Sequence, residues 1–302
     1  MAMKWKKLGR ILDAVPDVSW LASLAGPAFA RPLGSNQLEV FISGRDTNNV
    51  TRIGRAVFTV GEKVSIESID DEALLDIGEL GAFDENGVSY PWIIEKDESE
   101  YLYYVGWMPT VKTPFQNHLG LAQRKKGNGQ FTRVSRAPIL ARTDADWASI
   151  GSCCVLKDKI HWRMWYTSFQ RWGQPGEHKH YYHIKMATSD DGIHWQRDNH
   201  VAIDFKDQGE YAIGKPCVVH WQGQYHMWYS TRGEQYRIGY AQSQDGLTWI
   251  RKDEEVGIDL SGSGWDSQSQ CYAQVFEFKN TLYMIYNGND YGRGGLGLAV
   301  LE

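Results

Sequence analysis

The sequence has 302 residues, 42% of them hydrophobic and 13% aromatic, with 31 glycines and 9 prolines, which is enough material for a large β-rich core. Its net charge of −5 is spread over interspersed acidic and basic residues, so no basic stripe indicates a nucleic-acid partner. No stretch approaches the roughly 18 apolar residues of a membrane span, and the N-terminus lacks the apolar core of a secretion signal. We therefore expect a cytoplasmic protein whose four cysteines are reduced and buried.

The sequence contains five similar units, and each unit has strand-like runs in the same order. The repeat is marked by a small-residue signature that ends in alanine, at residues 53–56, 119–122, 184–187, 238–241 and 296–299. A second run precedes each signature, at residues 38–43, 101–106, 161–167, 225–230 and 282–287. An earlier run, expected to be innermost, lies near residues 25–30, 88–94, 151–156, 215–220 and 271–276. Several short strands per unit, repeated at a period of fifty-odd residues or more, are typical of β-propeller blades.

A fourth strand in each unit completes the predicted blade. In the third and fourth units it follows the tryptophan of a turn, at residues 195–197 and 249–251. In the fifth unit it is missing, and residues 5–8 look like residues 249–252, so the N-terminal strand is predicted to close the ring and cover its open edge. The predicted fold is all-β: one domain over residues 1–302 that forms a five-bladed β-propeller of four-stranded antiparallel blades.

Acidic residues recur at one place in four consecutive units. Six or seven residues before the middle of each innermost strand, these units carry Asp84, Asp146, Glu210 and Asp266. Acids before a strand often serve turns, which is the alternative for each of them taken alone. Because innermost strands line a central funnel, however, we expect the four carboxylates to point into a single cleft. A protonated carboxyl beside an ionised carboxylate is what glycosidic-bond chemistry needs, and repulsion between like charges separates their pKa values.

The pattern resembles the five-bladed β-propeller glycoside hydrolases: the invertase/levanase-like, arabinanase/xylosidase-like and mannoside-phosphorylase-like groups. The arrangement of blades carries the likeness over essentially the whole chain. Residues 83–87 (FDENG) are similar to the nucleophile motif Asn-Asp-Pro-Asn-Gly of the invertase-like group, which implies that Asp84 is a base or nucleophile. The second acid of that group falls at Asp144 or Asp146, and its acid/base glutamate falls at Glu210. The resemblance implies that Glu210 is the acid and that Asp146 or Asp266 tunes or orients the reacting groups.

Polar and aromatic residues near the predicted rim are expected to bind the sugar. They are Arg45, Asp46, Trp107, Asn117, Trp147, Lys215, Arg232, Trp265 and Asn287. The two arginines take matching places at the ends of second strands. The three tryptophans either stack on a sugar ring or pack between blades, and the asparagines and the lysine are weaker candidates for contacts to hydroxyl or phosphate groups.

These features predict a carbohydrate-active enzyme that cleaves or transfers a glycosidic bond of an intracellular oligosaccharide or a surface-polysaccharide precursor. One alternative is a glycoside phosphorylase or glycosyl transferase on the same fold, and in the phosphorylase Arg45, Lys215 and Arg232 would hold phosphate. Another is a non-catalytic sugar-binding propeller, which is disfavoured because the rim residues differ between units. The predicted partner is a carbohydrate. No cofactor or metal ligand is predicted, the funnel leaves room for a structural calcium ion, and no oligomeric state is indicated.

Overall fold

The computed structural model describes residues 3–158, 161–174, 176–177 and 179–302, which are almost entirely in β-strands and loops. Its strands are β1 Trp5–Leu12, β2 Leu24–Pro32, β3 Gln37–Arg45, β4 Thr51–Val60, β5 Val64–Ile69, β6 Gly87–Lys96, β7 Ser99–Met108, β8 Gln116–Lys125, β9 Thr132–Arg133, β10 Ser149–Lys157, β11 Trp162–Trp172, β12 His180–Ser189, β13 Val201–Ile203, β14 Ala212–Trp221, β15 Gln224–Arg232, β16 Tyr236–Ser243, β17 Ile250–Arg251, β18 Cys271–Phe278, β19 Thr281–Asn287 and β20 Leu296–Leu301. Short 3₁₀ turns occupy Ser19–Leu21, Asp144–Asp146, Asp253–Glu255 and Asp290–Gly292. None of the helical segments in the described ranges has the length and hydropathy to cross a membrane.

Consecutive strands pair antiparallel, and in the described part of the chain they form five groups. The groups are β2–β5, β6–β9, β10–β13, β14–β17, and β18–β20 together with β1. Single parallel pairings, Thr51 with Gly87 and Tyr182 with Ala212, join the first group to the second and the third to the fourth. The structure therefore confirms the predicted innermost, second and third strands. The prediction for the fourth strand of the third group was wrong, because Gln196 makes only an isolated bridge to Thr188 and β13 lies farther along the chain.

The N-terminal strand completes the last group. Strand β1 pairs antiparallel with β20, with Trp5 opposite Leu301, as the sequence predicts. The indole of Trp5 donates a hydrogen bond to the Val256 carbonyl (2.9 Å), and its ring meets that of Trp228 edge to face. The edge that β20 would otherwise expose is therefore covered.

Neighbouring innermost strands are joined by contacts between a side chain of one strand and the backbone of the next. The bonds are Trp92 Nε1 to Val155 O (2.8 Å), Val218 N to Cys154 Sγ (3.2 Å), Val275 N to Cys217 Sγ (3.1 Å) and Ala30 N to Gln274 Oε1 (2.9 Å). The first links β6 to β10 and the last returns from β18 to β2. The four cysteines are buried free thiols, as predicted, and two of them are used in this series.

The glycines of the small-residue signature have a packing role. Gly120, Gly239 and Gly297 of the third strands lie directly opposite Tyr104, Tyr229 and Tyr286 of the second strands. A Cβ at Gly120 would stand 2.3 Å from the Tyr104 ring, so only glycine lets the tyrosine lie across the third strand. In the third group the matching position is Lys185, opposite Tyr166.

Candidate functional site

A cavity lies where the innermost strands meet. It has two adjoining parts of about 370 and 710 Å³. The two parts share Tyr90, Phe115, Asn117, Tyr272 and Tyr291. Volumes of this size suit small-molecule ligands, so we refer to the two parts together as the central cavity.

Bulges in the innermost strands aim side chains into the central cavity. The register shifts around Tyr90, Lys215 and Tyr272, whose φ angles are 54°, 53° and 59°. This left-handed conformation is strained for residues other than glycine. A bulge changes the direction in which the side chain of the bulged residue points. The backbone N–H of each bulged residue donates a hydrogen bond to a side-chain hydroxyl of the preceding strand group. The pairs are Tyr90 to Ser43 (2.8 Å), Lys215 to Thr167 (3.2 Å) and Tyr272 to Ser230 (2.8 Å).

Aromatic side chains form most of the remaining wall. Tyr182 and Tyr236 are joined by a hydrogen bond between their hydroxyl groups, and Phe115, Phe169 and Tyr211 stand around them. Burial raises the pKa of Tyr90 to about 12, so its hydroxyl stays protonated at neutral pH. The wall thus offers apolar ring faces and hydroxyl hydrogen-bond donors, which fits a ligand with an apolar face and polar edges.

The charged groups of the central cavity are mostly cationic. Lys215 and Arg232 line the smaller part, and Arg45 and Arg293 line the larger part. Asp290, at the edge of the larger part, is the only carboxylate that lines the cavity among the described residues. The site as described therefore lacks a pair of facing carboxylates.

Five of the nine predicted sugar-binding residues line the central cavity. They are Arg45, Trp107, Asn117, Lys215 and Arg232. The other four have different surroundings. The Asp46 carboxylate pairs with Arg52 (2.8 Å), and Trp147 is 56% exposed outside the cavity. Trp265 packs on the Tyr286 ring, and the buried Asn287 donates a hydrogen bond to the Ala25 carbonyl (2.9 Å). The interpretation of Trp265 as packing within the β-structure is thus favoured over sugar stacking.

The structure does not bring the four predicted catalytic acids together at the central cavity. Each is buried and bonded within its own strand group to a basic side chain from the outermost part of that group. The pairs are Asp84 with Arg133 (2.8 Å), Asp146 with Arg197 (3.0 Å), Glu210 with Arg251 (2.7 Å) and Asp266 with Lys7 (2.7 Å). We call each acid and its donors a buried acid cluster.

Hydroxyl groups of the second strands complete the buried acid clusters. The hydroxyls of Tyr104, Tyr166 and Tyr286 donate to Asp84 (2.9 Å), Asp146 (3.0 Å) and Asp266 (3.0 Å). Glu210 instead accepts from the Thr231 hydroxyl, while Tyr229 donates to Asp253 (2.6 Å). The regular spacing of the acids in the sequence therefore has a structural cause, because each acid holds together the entry loop, the second strand and the outermost strand of its group. A catalytic role for any of them stays a prediction.

The first strand group shows what replaces an acid at this place. Trp20 occupies the matching position before β2, and its indole donates to the Asp70 carbonyl (2.9 Å). The ring lies against Gly44 and Gly54, where an added Cβ would approach within 2.4 and 2.3 Å of it. A buried indole there ties together the same three segments that a carboxylate joins in the other groups.

Ion pairing and hydrogen bonding lower the pKa values of three of the clustered carboxyls, those of Asp146, Glu210 and Asp266. Burial opposes ionisation of Asp146, but the Ser168 hydroxyl and the Lys185 ammonium outweigh it and hold its pKa below the ordinary value. Burial likewise opposes ionisation of Glu210 and Asp266, and Arg251 and Lys7 are the largest of the groups that lower the two pKa values.

These lowered pKa values predict sensitivity to acid. A carboxyl whose pKa is lower in the folded than in the unfolded state stabilises the fold fully above its unfolded pKa, about 4. This stabilisation is lost as the pH falls through the folded-state value. We expect the thermal midpoint to be level between neutral pH and about pH 5 and to drop steeply below about pH 4. Calorimetry across this range checks the expectation, and a midpoint still level at about pH 3 would contradict it.

Sequence reasoning missed most of the cavity wall. The tyrosines at positions 90, 182, 211, 236, 272 and 291 and Arg293 were not singled out, although all line the central cavity. Proline directly follows two of the bulge residues, as Tyr90-Pro91 and Lys215-Pro216. Proline within a strand marks a bulge, so these pairs are the signal that could have located the wall. For metals, the described residues contain no group of three or more His, Cys, Asp or Glu side chains suited to holding an ion.

The chain is similar along its whole length to two proteins of Mycobacterium tuberculosis. "Uncharacterized protein MT1551" and "Uncharacterized protein Rv1502" are each 37% identical to it over 300 residues, which is 99% of this chain and 100% of theirs. No protein-family model matches the chain.

Solved structures of glycoside hydrolases share its fold. A structure from the GH130 family of mannoside phosphorylases and glycoside hydrolases matches with a TM-score of 0.73 and 13% identity, covering 99% of this chain and 94% of that one. A thermostable family-43 glycoside hydrolase matches with a TM-score of 0.64 and 18% identity over 92% and 88%. The GH32 β-fructofuranosidase BmSUC1 of Bombyx mori matches with a TM-score of 0.66 and 14% identity over 97% and 61%. The chain therefore belongs to the family of the two mycobacterial proteins, and its fold is that of the β-propeller glycoside hydrolases.

Proposed function

We propose that this protein is a carbohydrate-active enzyme that cleaves or transfers a glycosidic bond of a saccharide held in the central cavity. The observation that carries the proposal is the cavity itself, walled by aromatic rings and tyrosine hydroxyls at the meeting point of the innermost strands. The fold shared with glycoside hydrolases supports the reaction class.

We also propose that the five strand groups are the blades of one closed propeller domain over residues 1–302. Contacts between innermost strands support this because they return from Gln274 in β18 to Ala30 in β2. The buried free thiols fit the reducing cytoplasm as the compartment, where an oligosaccharide or a surface-polysaccharide precursor would be the substrate.

The charges of the central cavity favour transfer to phosphate over hydrolysis by a carboxylate pair. Phosphate that attacks the anomeric carbon needs cationic ligands, and Arg45 and Arg293, which line the larger part of the cavity together with Asp290, are available. The departing glycosidic oxygen needs one proton, and we propose Asp290, which lines the larger part of the cavity, as its donor. An attack of this kind needs only one protein carboxyl, which is what the described wall contains.

Release of sugar from a panel of aryl glycosides and short oligosaccharides, with and without phosphate, tests the function. We expect a member of the panel to be turned over, faster with phosphate, and Asp290→Asn to lower kcat by about 10²–10⁴-fold, as loss of a general acid does. The exposed Asp71, away from the cavity, provides the matched control Asp71→Asn, which should behave as the native protein.

Other outcomes separate the alternatives. Turnover that survives Asp290→Asn but disappears in a folded Glu210→Gln or Asp84→Asn variant would show that an acid of the buried acid clusters is needed for the reaction and that Asp290 is not. Binding of saccharides without any turnover would favour the non-catalytic sugar-binding propeller. Turnover that is indifferent to phosphate would exclude the phosphorylase.

A further inference from the structure

Cationic groups without carboxylate partners meet in the central cavity. Among the described residues, no salt bridge involves Lys215, Arg232, Arg45 or Arg293. Elsewhere, buried cations such as Arg124 and Lys185 are paired with the carboxylates of Glu100 and Asp146. Lys215, which is as buried as these two cations, has no such carboxylate partner in the described part of the chain.

Lys215 is the most deeply buried of the four cations. Its side chain is 2% exposed, and its Nζ has no hydrogen-bond acceptor in the described part of the chain. The ammonium faces the Trp92 ring, whose centroid lies 5.6 Å from Nζ. A buried ammonium with no acceptor is costly, and here the strained bulge backbone holds it at the cavity wall.

Arg232 approaches the same space from the end of β15. Its guanidinium lies 5.2 to 5.5 Å from the ring centroids of Tyr211, Tyr236 and Tyr291. These rings hold the planar group in place, while none of its N–H groups is taken by a carboxylate among the described residues. A guanidinium fixed in this way is suited to bidentate contact with an oxyanion.

Arg45 and Arg293 add positive charge to the adjoining part of the cavity. The Arg45 guanidinium donates hydrogen bonds to the Thr51 hydroxyl (3.3 Å) and to the side-chain amide oxygen Oδ1 of Asn49 (3.0 Å), both neutral groups. Burial and repulsion from the Arg293 guanidinium both lower the pKa of Arg45. An anion between the two arginines would relieve this repulsion.

We propose that the central cavity recognises its saccharide through an anionic substituent, a phosphate or a carboxylate, that binds Lys215 and Arg232. The proposal rests on the proposed function for the saccharide part of the ligand only. The aromatic wall takes the sugar ring, and Lys215 and Arg232 take the oxyanion, which leaves Arg45 and Arg293 in the adjoining part of the cavity for the attacking phosphate.

Isothermal titration calorimetry with matched sugar probes tests this inference. Glucose, mannose and galactose are compared as the neutral sugar, the 6-phosphate and the uronate, with inorganic phosphate as a further probe. We expect at least one anionic form to bind about tenfold or more tightly than its neutral form, a difference typical of a charge-assisted hydrogen bond. The phosphate and uronate arms distinguish the two sources of the anion.

Variants locate the anion on the proposed side chains. Lys215→Met keeps the length of the side chain and removes the charge, and Arg232→Gln keeps hydrogen-bonding capacity. Each should weaken the anionic probe about tenfold or more, while the exposed Lys63→Met on the β4–β5 turn should leave it unchanged. Thermal melting of each variant establishes that it is folded.

Several results would overturn the inference: equal affinity for neutral and anionic forms, no binding of any anionic probe at millimolar concentration, or full affinity in both variants. Its failure is distinguishable from failure of the proposed function. Turnover of neutral glycosides without preference for anionic forms would keep the enzyme and reject the anion site. Binding of anionic sugars without turnover would keep the anion site and reject the enzyme.

Discussion

Lys215→Met is expected to make the unliganded protein more stable. The ammonium is buried without an acceptor in the described residues, so its replacement by an apolar side chain of similar length removes a desolvation cost. Replacing a buried ion pair with apolar residues is often neutral or stabilising by about 1–4 kcal/mol, and removing a single unpaired buried charge should act in the same direction. We therefore expect a rise of several degrees in the thermal midpoint, at about 2–4 °C per kcal/mol for a chain of this size class.

The same variant should lose the anionic ligand, so stability and binding should change in opposite directions. Native protein that is saturated with an anionic probe should recover the difference in thermal midpoint, since a ligand that binds only the folded state stabilises it. Lys63→Met, which alters an exposed lysine, should change neither quantity. A lower midpoint in Lys215→Met would show that the ammonium stabilises the fold and would remove this argument for a ligand.

Arg197→Met is expected to destabilise the protein by about 3–5 kcal/mol, because it removes the nearer of the two cationic partners of a buried carboxylate. Asp146 is 0% exposed, and Arg197 contacts it at 3.0 Å. Lys185 remains at 3.3 Å, but its ammonium is also shared with the Ala145 carbonyl and Asn199. Such a loss is a large part of the 5–15 kcal/mol that typically stabilises a folded protein. Denaturant unfolding followed by tryptophan fluorescence measures it.

Two comparisons make the second prediction specific. Arg136→Met removes an exposed arginine, 85% accessible, and should change the free energy of unfolding by less than about 0.5 kcal/mol. The double variant Asp146→Leu, Arg197→Met should be less destabilised than Arg197→Met alone, because it removes the buried carboxylate and Lys185 keeps the Ala145 carbonyl and the Asn199 side chain as acceptors. If Arg197→Met cost under about 1 kcal/mol, the buried acid clusters would not be the structural elements that their geometry indicates.

The fold could be predicted from the sequence because its repeated units have recognisable local sequence patterns. Strand-like runs and the glycines opposite Tyr104, Tyr229 and Tyr286 recur with the groups, and each follows from packing between adjacent strands. The place of β1 was also predictable, since a missing outer strand and a matching N-terminal segment point to each other. The fourth strand of the third group was not, because two candidate segments follow the same turn and tertiary contacts select the later one.

The site was predictable only in part because recurrence in sequence does not distinguish function from structure. The acids recur because each group needs a link between its entry loop and its outer strands, and a count along the sequence cannot show that Asp84 meets Arg133. The side chains that do line the cavity depend on the bulges at Tyr90, Lys215 and Tyr272, where the register shift changes which side chain points into the cavity. Three of the four cations, Arg45, Lys215 and Arg232, were selected from their positions at strand ends and starts. Arg293 lies in a loop with no such regularity.

The pairing of β1 with β20 constrains the order in which the strand groups can form. Strand β1 is synthesised before the other strands, yet its partner lies almost at the other end of the sequence. Lys7 of β1 also has to reach Asp266, so the last acid cluster waits for the same event. Closing a loop over nearly the whole chain is a slow, non-local step, whereas the hairpins within the other groups form locally. During translation the N-terminal strand therefore stays without its partner while the groups from β2 to β17 assemble in turn.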